Sequence, residues 1–205
     1  MSKKQRAIRG KSKQQGKRRL TLGFISYGGD DPTVHALWAG LDDVTREHDV
    51  NLINYPGEPL QAPGFRSQAN VLYDLIEEQR IDAPVVFGGM LGHYAGSDAV
   101  HKFFNQYRQL PMINVSMAIP GIPALLIDNY QGMYAVVSHL IEEHHYSLIA
   151  FIRGPEGHSE AEERYRAYVA ALAEHGLEFD ADLVTPGSFE EEKGVAGVAT
   201  LFDER

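Results

Sequence analysis

Polar side chains follow an apolar run at a point where a buried strand is expected to end. The run 147–152 leads into the turn Gly154-Pro155, and His158, Glu160 and Arg164 come next. In open α/β sheets, ligands bind outside the carboxyl ends of the strands. A guanidinium offers a rigid fork of donors that suits hydroxyl, carboxylate or phosphate oxygens. This stretch therefore predicts a site for a small polar ligand.

An ion pair on the protein surface is the alternative explanation for these charges. Glu160 and Arg164 are four residues apart, so they share one face of a helix. Glu162, Glu163 and Arg166 continue the same charged pattern. The sequence alone leaves both interpretations open.

The first helix of the chain begins with residues that suit a second ligand contact. Asp31, Thr33 and Val34 follow the first apolar run, and Pro32 marks the first helical turn. Backbone N–H groups and the positive end of the helix dipole favour a ligand at such a point. Capping of the helix by Asp31 explains the same residues without any ligand.

Small residues follow the third and fourth strands. Gly88 and Gly89 come directly after one apolar run and precede His93, and Ser116 ends the next run. Glycines allow a ligand to approach the backbone closely, although a tight turn requires them equally. The Ser116 hydroxyl is a candidate donor to a ligand hydroxyl.

Strands and amphipathic helices alternate along the chain after residue 19, which predicts βαβ units and a parallel sheet. Helices are indicated by apolar residues at intervals of three and four, clearest from Met133 to Ile141. The apolar runs that predict strands lie at 20–26, 50–55, 84–87, 112–115, 125–127, 148–152 and 183–184.

The charge of the chain is divided unevenly. Residues 1–19 carry nine Lys or Arg and no acidic residue, whereas the 28 Asp and Glu all lie in the remainder. We expect the acidic body to repel nucleic acid, so only the basic segment can attract it. The absence of cysteine suits a reducing compartment, and we expect a cytoplasmic protein without signal peptide or membrane helix.

Several of these stretches together resemble the effector-sensing core of the LacI/GalR family of repressors. The resemblance rests on the strand, Gly-Pro turn and helical Arg around Arg164, and it continues at 126–133, 139–141 and 22–25. It implies an α/β, periplasmic-binding-protein-like fold with two lobes, each built on a parallel doubly wound sheet. It also implies that a small-molecule effector binds between the lobes.

The resemblance assigns roles to individual residues. Arg164 lies four residues before Tyr168, the spacing of the family's ligand-binding Arg before an aromatic residue. His158 and Glu160 stand where family members place polar contacts to the effector, and Asp31 stands at a helix start that contacts it. Four further residues match family motifs, and we expect them to have structural roles: Asp128, Asn129, Gly154 and Pro155. Asn129 is expected to cap the helix that follows it.

The chain departs from the family's repressors at both ends. Residues 1–19 are too few for a helix-turn-helix module and resemble at most a linker. A complete pair of lobes needs about ten to twelve βα units of ~30 residues, and about six are present. We therefore expect a basic tail (1–19), a first lobe (20–123) and an incomplete second lobe (124–205). Apolar helix faces at 165–172 and 195–202 are expected to be exposed.

The sequence favours a non-catalytic sensor that forms a homodimer and regulates transcription through a DNA-binding module outside this chain. The alternative is the input domain of a cytoplasmic signalling protein, such as a histidine kinase or a diguanylate cyclase. An enzyme is the third hypothesis, but the sequence has neither a dinucleotide-binding G-x-G-x-x-G motif nor a G-x-S-x-G nucleophile motif. No metal site and no cofactor is indicated.

Overall fold

The structure is a computed structural model and describes residues 18–78 and 81–202. Residues 1–17, the larger part of the basic tail, lie outside the described residues. Five strands form the first sheet, in the order β2-β1-β3-β4-β5, and every neighbouring pair is parallel. These strands are β1 (Thr21–Tyr27), β2 (Asn51–Gly57), β3 (Ala83–Phe87), β4 (Ile113–Val115) and β5 (Ala124–Leu125).

Helices cover both faces of this sheet, as the sequence predicted. Because side chains alternate along a strand, neighbouring residues of β1 enter different cores. Phe24 packs in a core with Val34 of helix α1, whereas Ile25 packs on the other face with helices α2 and α4. The helices of this part are α1 (Pro32–Glu47), α2 (Val71–Glu78), α3 (Gly88–Leu91) and α4 (Gly96–Gln106).

The second sheet has two parallel strands and its own core. Its elements are α5 (Asn129–Glu142), β6 (Phe151–Ile152), α6 (Ser159–Glu174), β7 (Val184–Thr185) and α7 (Glu191–Phe202). Val137 of α5 packs against Tyr168, Ala171 and Leu172 of α6. We refer to the two sheets with their helices as the first and second lobes.

Two expectations from the sequence need correction. Ala124 and Leu125 pair with β4, so the first sheet extends two residues beyond the expected boundary at 123. The apolar face at 165–172 is largely buried, since Tyr168 and Leu172 pack on α5. By contrast, the α7 face is exposed at Val195, Val198 and Phe202.

No described helix is long and apolar enough to cross a membrane.

Candidate functional site

A cavity of about 350 Å³ lies between the two lobes, at the carboxyl ends of β1, β3, β4, β6 and β7. Because parallel strands end at the same edge of a sheet, the loops that follow them meet there. Eight of the ten residues predicted to bind ligand line this cavity: Asp31, Thr33, Gly89, His93, Ser116, His158, Glu160 and Arg164.

The other two predicted residues do not line the cavity. Val34 is only 5% exposed and belongs to the core between α1 and the sheet. Gly88 is buried, and its N–H donates to Asn114 Oδ1 at 3.0 Å. A side chain at Gly88 would collide with the Asn114 amide. Val34 is therefore a core residue of α1 and Gly88 shapes the end of β3, and neither forms the wall.

Arg164 is held in place by two contacts within the second lobe. Its Nε donates to Asn129 Oδ1 at 2.7 Å, and its Nη2 lies 3.5 Å from Glu160 Oε2. Its guanidinium carbon lies 5.7 Å from the centre of the Phe189 ring. The i,i+4 ion pair expected from the sequence is thus present, and it lies at the cavity and not away from it.

The N-cap of α5 is Asp128 and not Asn129. Asp128 caps α5, since its Oδ1 accepts from the Gln131 N–H at 2.9 Å. Asn129 is the first residue of the helix, and its side chain is turned to Arg164. The expectation that Asn129 caps the helix is therefore wrong by one residue.

The Gly154-Pro155 turn lies at tightly packed backbone between β6 and α6. A Cβ on Gly154 would lie 2.6 Å from Ala161 Cβ and 3.0 Å from the Phe189 ring. The Pro155 carbonyl accepts from the His158 N–H at 3.2 Å. The turn thereby brings the start of α6 close to the loop that carries Phe189.

His158 connects the two lobes. It is 7% exposed, and its Nε2 lies 3.2 Å from the carbonyl oxygen of Gly89. Because a carbonyl only accepts hydrogen bonds, Nε2 carries the proton, and in the neutral imidazole Nδ1 is then an acceptor. Nδ1 of His158 and Nδ1 of His93 are both buried without a partner among the described residues. Burial lowers the pKa of His93.

Sequence reasoning missed the residues that complete the wall: Tyr27, Pro59, Arg66, Phe87, Met90, Tyr94, Phe189 and Glu190. Phe189 and Glu190 follow β7, so the rule that located the other strand ends could have found them. Arg66 lies in a 3₁₀ helix (Gly64–Asn70), and no local pattern marks it.

Two of these additional wall residues, Tyr94 and Glu190, form a second hydrogen bond between the lobes. The Tyr94 hydroxyl donates to Glu190 Oε1 at 2.6 Å. This bond lowers the pKa of the Glu190 carboxyl and raises the pKa of Tyr94. Glu190 is therefore a carboxylate at neutral pH, and the two lobes are in contact on this side of the cavity.

Comparison with known proteins agrees with this geometry. A family model for periplasmic binding proteins and the sugar-binding domain of the LacI family matches residues 19–204. The HTH-type transcriptional regulator CelR of Thermobifida fusca is 39% identical over 77 residues, which are 38% of this chain and 22% of that protein.

Two solved structures have the same fold. The transcription regulator CcpA of Lactococcus lactis superposes with a TM-score of 0.73 at 25% identity, over 91% of this chain and 65% of that one. A CelR–cellobiose complex superposes with a TM-score of 0.70 at 23% identity, over 91% and 56% of the respective chains. The chain thus spans less than two thirds of the length of these relatives. It belongs to the family of periplasmic binding proteins and LacI-type sugar-binding domains.

Proposed function

We propose that the cavity between the lobes binds a small sugar, and that the chain is the effector-sensing part of a LacI-type transcriptional regulator. The observation that carries the proposal is the convergence of Asp31, Ser116, His158 and Arg164 on one cavity. These four residues follow three different strands, β1, β4 and β6. Their types suit a ligand with many hydroxyl groups.

The composition of the wall supports a sugar. Ligand sites combine apolar and aromatic surface with a few well-placed polar groups. Phe189 is 45% exposed, so its ring is accessible to the apolar C–H face of a sugar. Carboxylates, two guanidiniums and the buried His158 imidazole line the same cavity and suit the donor and acceptor pattern of hydroxyls.

The relatives support a regulatory output. The similar proteins are transcription regulators, which favours this output over a histidine kinase or a diguanylate cyclase. On this proposal the protein is cytoplasmic and non-catalytic, forms a homodimer, and contacts DNA through a module outside the described residues. The lobes are proposed to meet immediately after β5 (Ala124–Leu125).

The contacts between the lobes suggest how binding is transmitted. His158 bonds to Gly89 and Tyr94 bonds to Glu190 when the lobes lie together. A ligand that touches both lobes binds this arrangement more tightly than an open one, so it shifts the population towards closure. An attached DNA-binding module senses that shift through thermodynamic linkage.

Thermal unfolding with a panel of saccharides, cellobiose and galactose included, tests the proposal. A ligand that binds only the folded chain raises the unfolding temperature in proportion to the logarithm of its concentration above its Kd. We expect at least one saccharide to raise it, and calorimetric titration to give a stoichiometry of one. If nucleotides or amino acids raise it and no saccharide does, the proposed function is wrong.

A further inference from the structure

We infer that the cavity selects an uncharged sugar and rejects its phosphorylated form, because a carboxylate of the chain already balances each arginine and the helix N-terminus in its wall. This inference rests on the proposed function and specifies its ligand class.

Arg66 is the first of these groups. Its Nε and Nη2 donate to Glu58 Oε2 at 3.1 and 2.9 Å. Nη2 also donates to the Tyr27 hydroxyl at 3.1 Å, and Nη1 donates to the Tyr94 hydroxyl at 3.4 Å. A guanidinium has five N–H groups, so these four bonds leave one. Arg66 is therefore a part of the wall and has no fork left for a phosphate.

Arg164 is the second group, and it differs from Arg66. Glu160 balances its charge, while the bond to Asn129 engages only Nε. The Nη atoms keep N–H groups for a ligand. Arg164 can therefore donate to the oxygen of a hydroxyl group, while Glu160, four residues earlier, balances its positive charge.

The start of α1 is the third group. Helix N-termini bind anions through free backbone N–H groups. Here the Thr33 and Val34 N–H groups both donate to Asp31 Oδ1, at 2.7 and 3.1 Å. The carboxylate of the chain occupies the place that a phosphate would need.

The net charge of the cavity wall also disfavours a phosphorylated ligand. Asp31, Glu160 and Glu190 line the cavity against two guanidiniums, and Glu58 stands behind Arg66. An entering phosphate dianion meets a net negative field. The unpartnered Nδ1 of His158 adds an acceptor, because its Nε2 donates to the Gly89 carbonyl, so the wall favours a ligand that supplies hydroxyl donors.

Calorimetric titration of the whole chain with matched sugars tests the inference. The pairs are glucose with glucose 6-phosphate, galactose with galactose 6-phosphate, and cellobiose with its 6′-phosphate, and inorganic phosphate is titrated alone. We expect each phosphorylated sugar to bind at least about tenfold more weakly than its neutral partner, a difference of ~1.4 kcal/mol. Inorganic phosphate is expected not to bind at millimolar concentration.

A pair of variants distinguishes the effect of the Arg66–Glu58 ion pair on phosphate binding from the effect of the net charge of the chain. Glu58→Gln removes the negative charge that balances Arg66 and keeps an oxygen that accepts from it. The backbone of residue 58 keeps its own bonds to Asn70 and Tyr73. We expect this variant to lose most of the discrimination against phosphate. Glu47→Gln removes the same charge at an exposed site on α1 and is expected to keep it.

The outcomes are distinct. A phosphorylated sugar that binds as tightly as its partner overturns the inference and leaves the proposed function standing. Equal effects of Glu58→Gln and Glu47→Gln also overturn it. If no sugar of either kind binds, the proposed function fails, and the inference fails with it.

Discussion

Arg164 Nε and Asn129 Oδ1 are 2.7 Å apart, and this bond ties α6 to the first residue of α5. Asn129 is buried, so its amide holds one orientation. The bond fixes the plane of a guanidinium whose remaining N–H groups line the cavity.

Replacement of Asn129 by Ala is expected to weaken sugar binding by about 0.5–1.5 kcal/mol, the usual contribution of one hydrogen bond. The loss arises because Arg164 gains freedom that binding must then remove. Calorimetric titration measures it. Asn129→Asp keeps the acceptor and should bind nearly as well as the native chain, and Asn105→Ala on the exposed side of α4 is the control. Unchanged affinity in Asn129→Ala would refute the positioning role.

Arg164→Ala is expected to cost more, about 1.5–3 kcal/mol of binding free energy, because a charged donor is lost. The effect should appear in the same titration as a tenfold or larger rise in Kd. Arg46→Ala serves as the control, since Arg46 also pairs with a carboxylate four residues away but lies on α1 outside the cavity. Equal losses in both variants would contradict a direct contact by Arg164.

Tyr94→Phe tests the contact between the lobes. The variant removes the 2.6 Å bond to Glu190 and leaves the ring in place. We expect sugar affinity to fall several-fold while the unfolding temperature without ligand changes little, since Tyr94 is half-buried and Glu190 is exposed. Tyr146→Phe, on an exposed tyrosine elsewhere, is the control. A large loss of stability in Tyr94→Phe would show that the bond holds the fold and not the closed cleft.

Gly89 and Gly40 differ in how tightly their surroundings are packed, so the same substitution at both tests the effect of packing on stability. A Cβ on Gly89 would lie 2.7 Å from Ser116 Cβ, whereas a Cβ on Gly40 of α1 would meet nothing within 4 Å. Gly89→Ala is therefore expected to destabilise the chain by about 1–3 kcal/mol through overpacking. Gly40→Ala should instead stabilise it by up to about 1 kcal/mol, the difference in helix propensity. Denaturant unfolding measures both, and equal signs would refute the packing argument.

The stability of the chain is expected to fall as the pH drops below about 6.5, the ordinary pKa of histidine. Burial lowers the pKa of His93 in the folded chain, so the unfolded chain binds the proton more readily. The contribution is fully present above the unfolded pKa and is lost as the pH falls from there through the folded pKa. Unfolding temperatures between pH 7.5 and 5 should decline less in His93→Gln. An equal decline would assign the effect to other groups.

Local sequence patterns were sufficient to predict much of this fold. Alternating apolar runs and helical stripes predicted the parallel sheet and the strand ends. In the structure Asp31, Gly89 and Arg164 lie at one cavity beside those ends. The direction of a single side chain was harder to predict. Val34 turned into the core because the phase of α1 is set by its packing on Phe24.

The residues that sequence reasoning missed depend on contacts between distant segments. Arg66 reaches the cavity because Glu58, Tyr27 and Tyr94 hold its guanidinium, and those partners lie in three separate loops or strand ends. Tyr168 was expected to be exposed and is buried because α5 packs across it. Helical periodicity identifies an apolar face but does not say which element covers it.

The two bonds between the lobes join residues that are far apart in the chain. Gly89 and His158 are separated by 69 positions, and Tyr94 and Glu190 by 96. Contacts of such separation carry a high entropic cost of loop closure, so they form after local structure during folding. A sugar therefore binds only after both lobes have folded and the contacts between them have formed. It should slow unfolding and leave the rate of folding unchanged, a signature that stopped-flow kinetics in the presence of ligand would reveal.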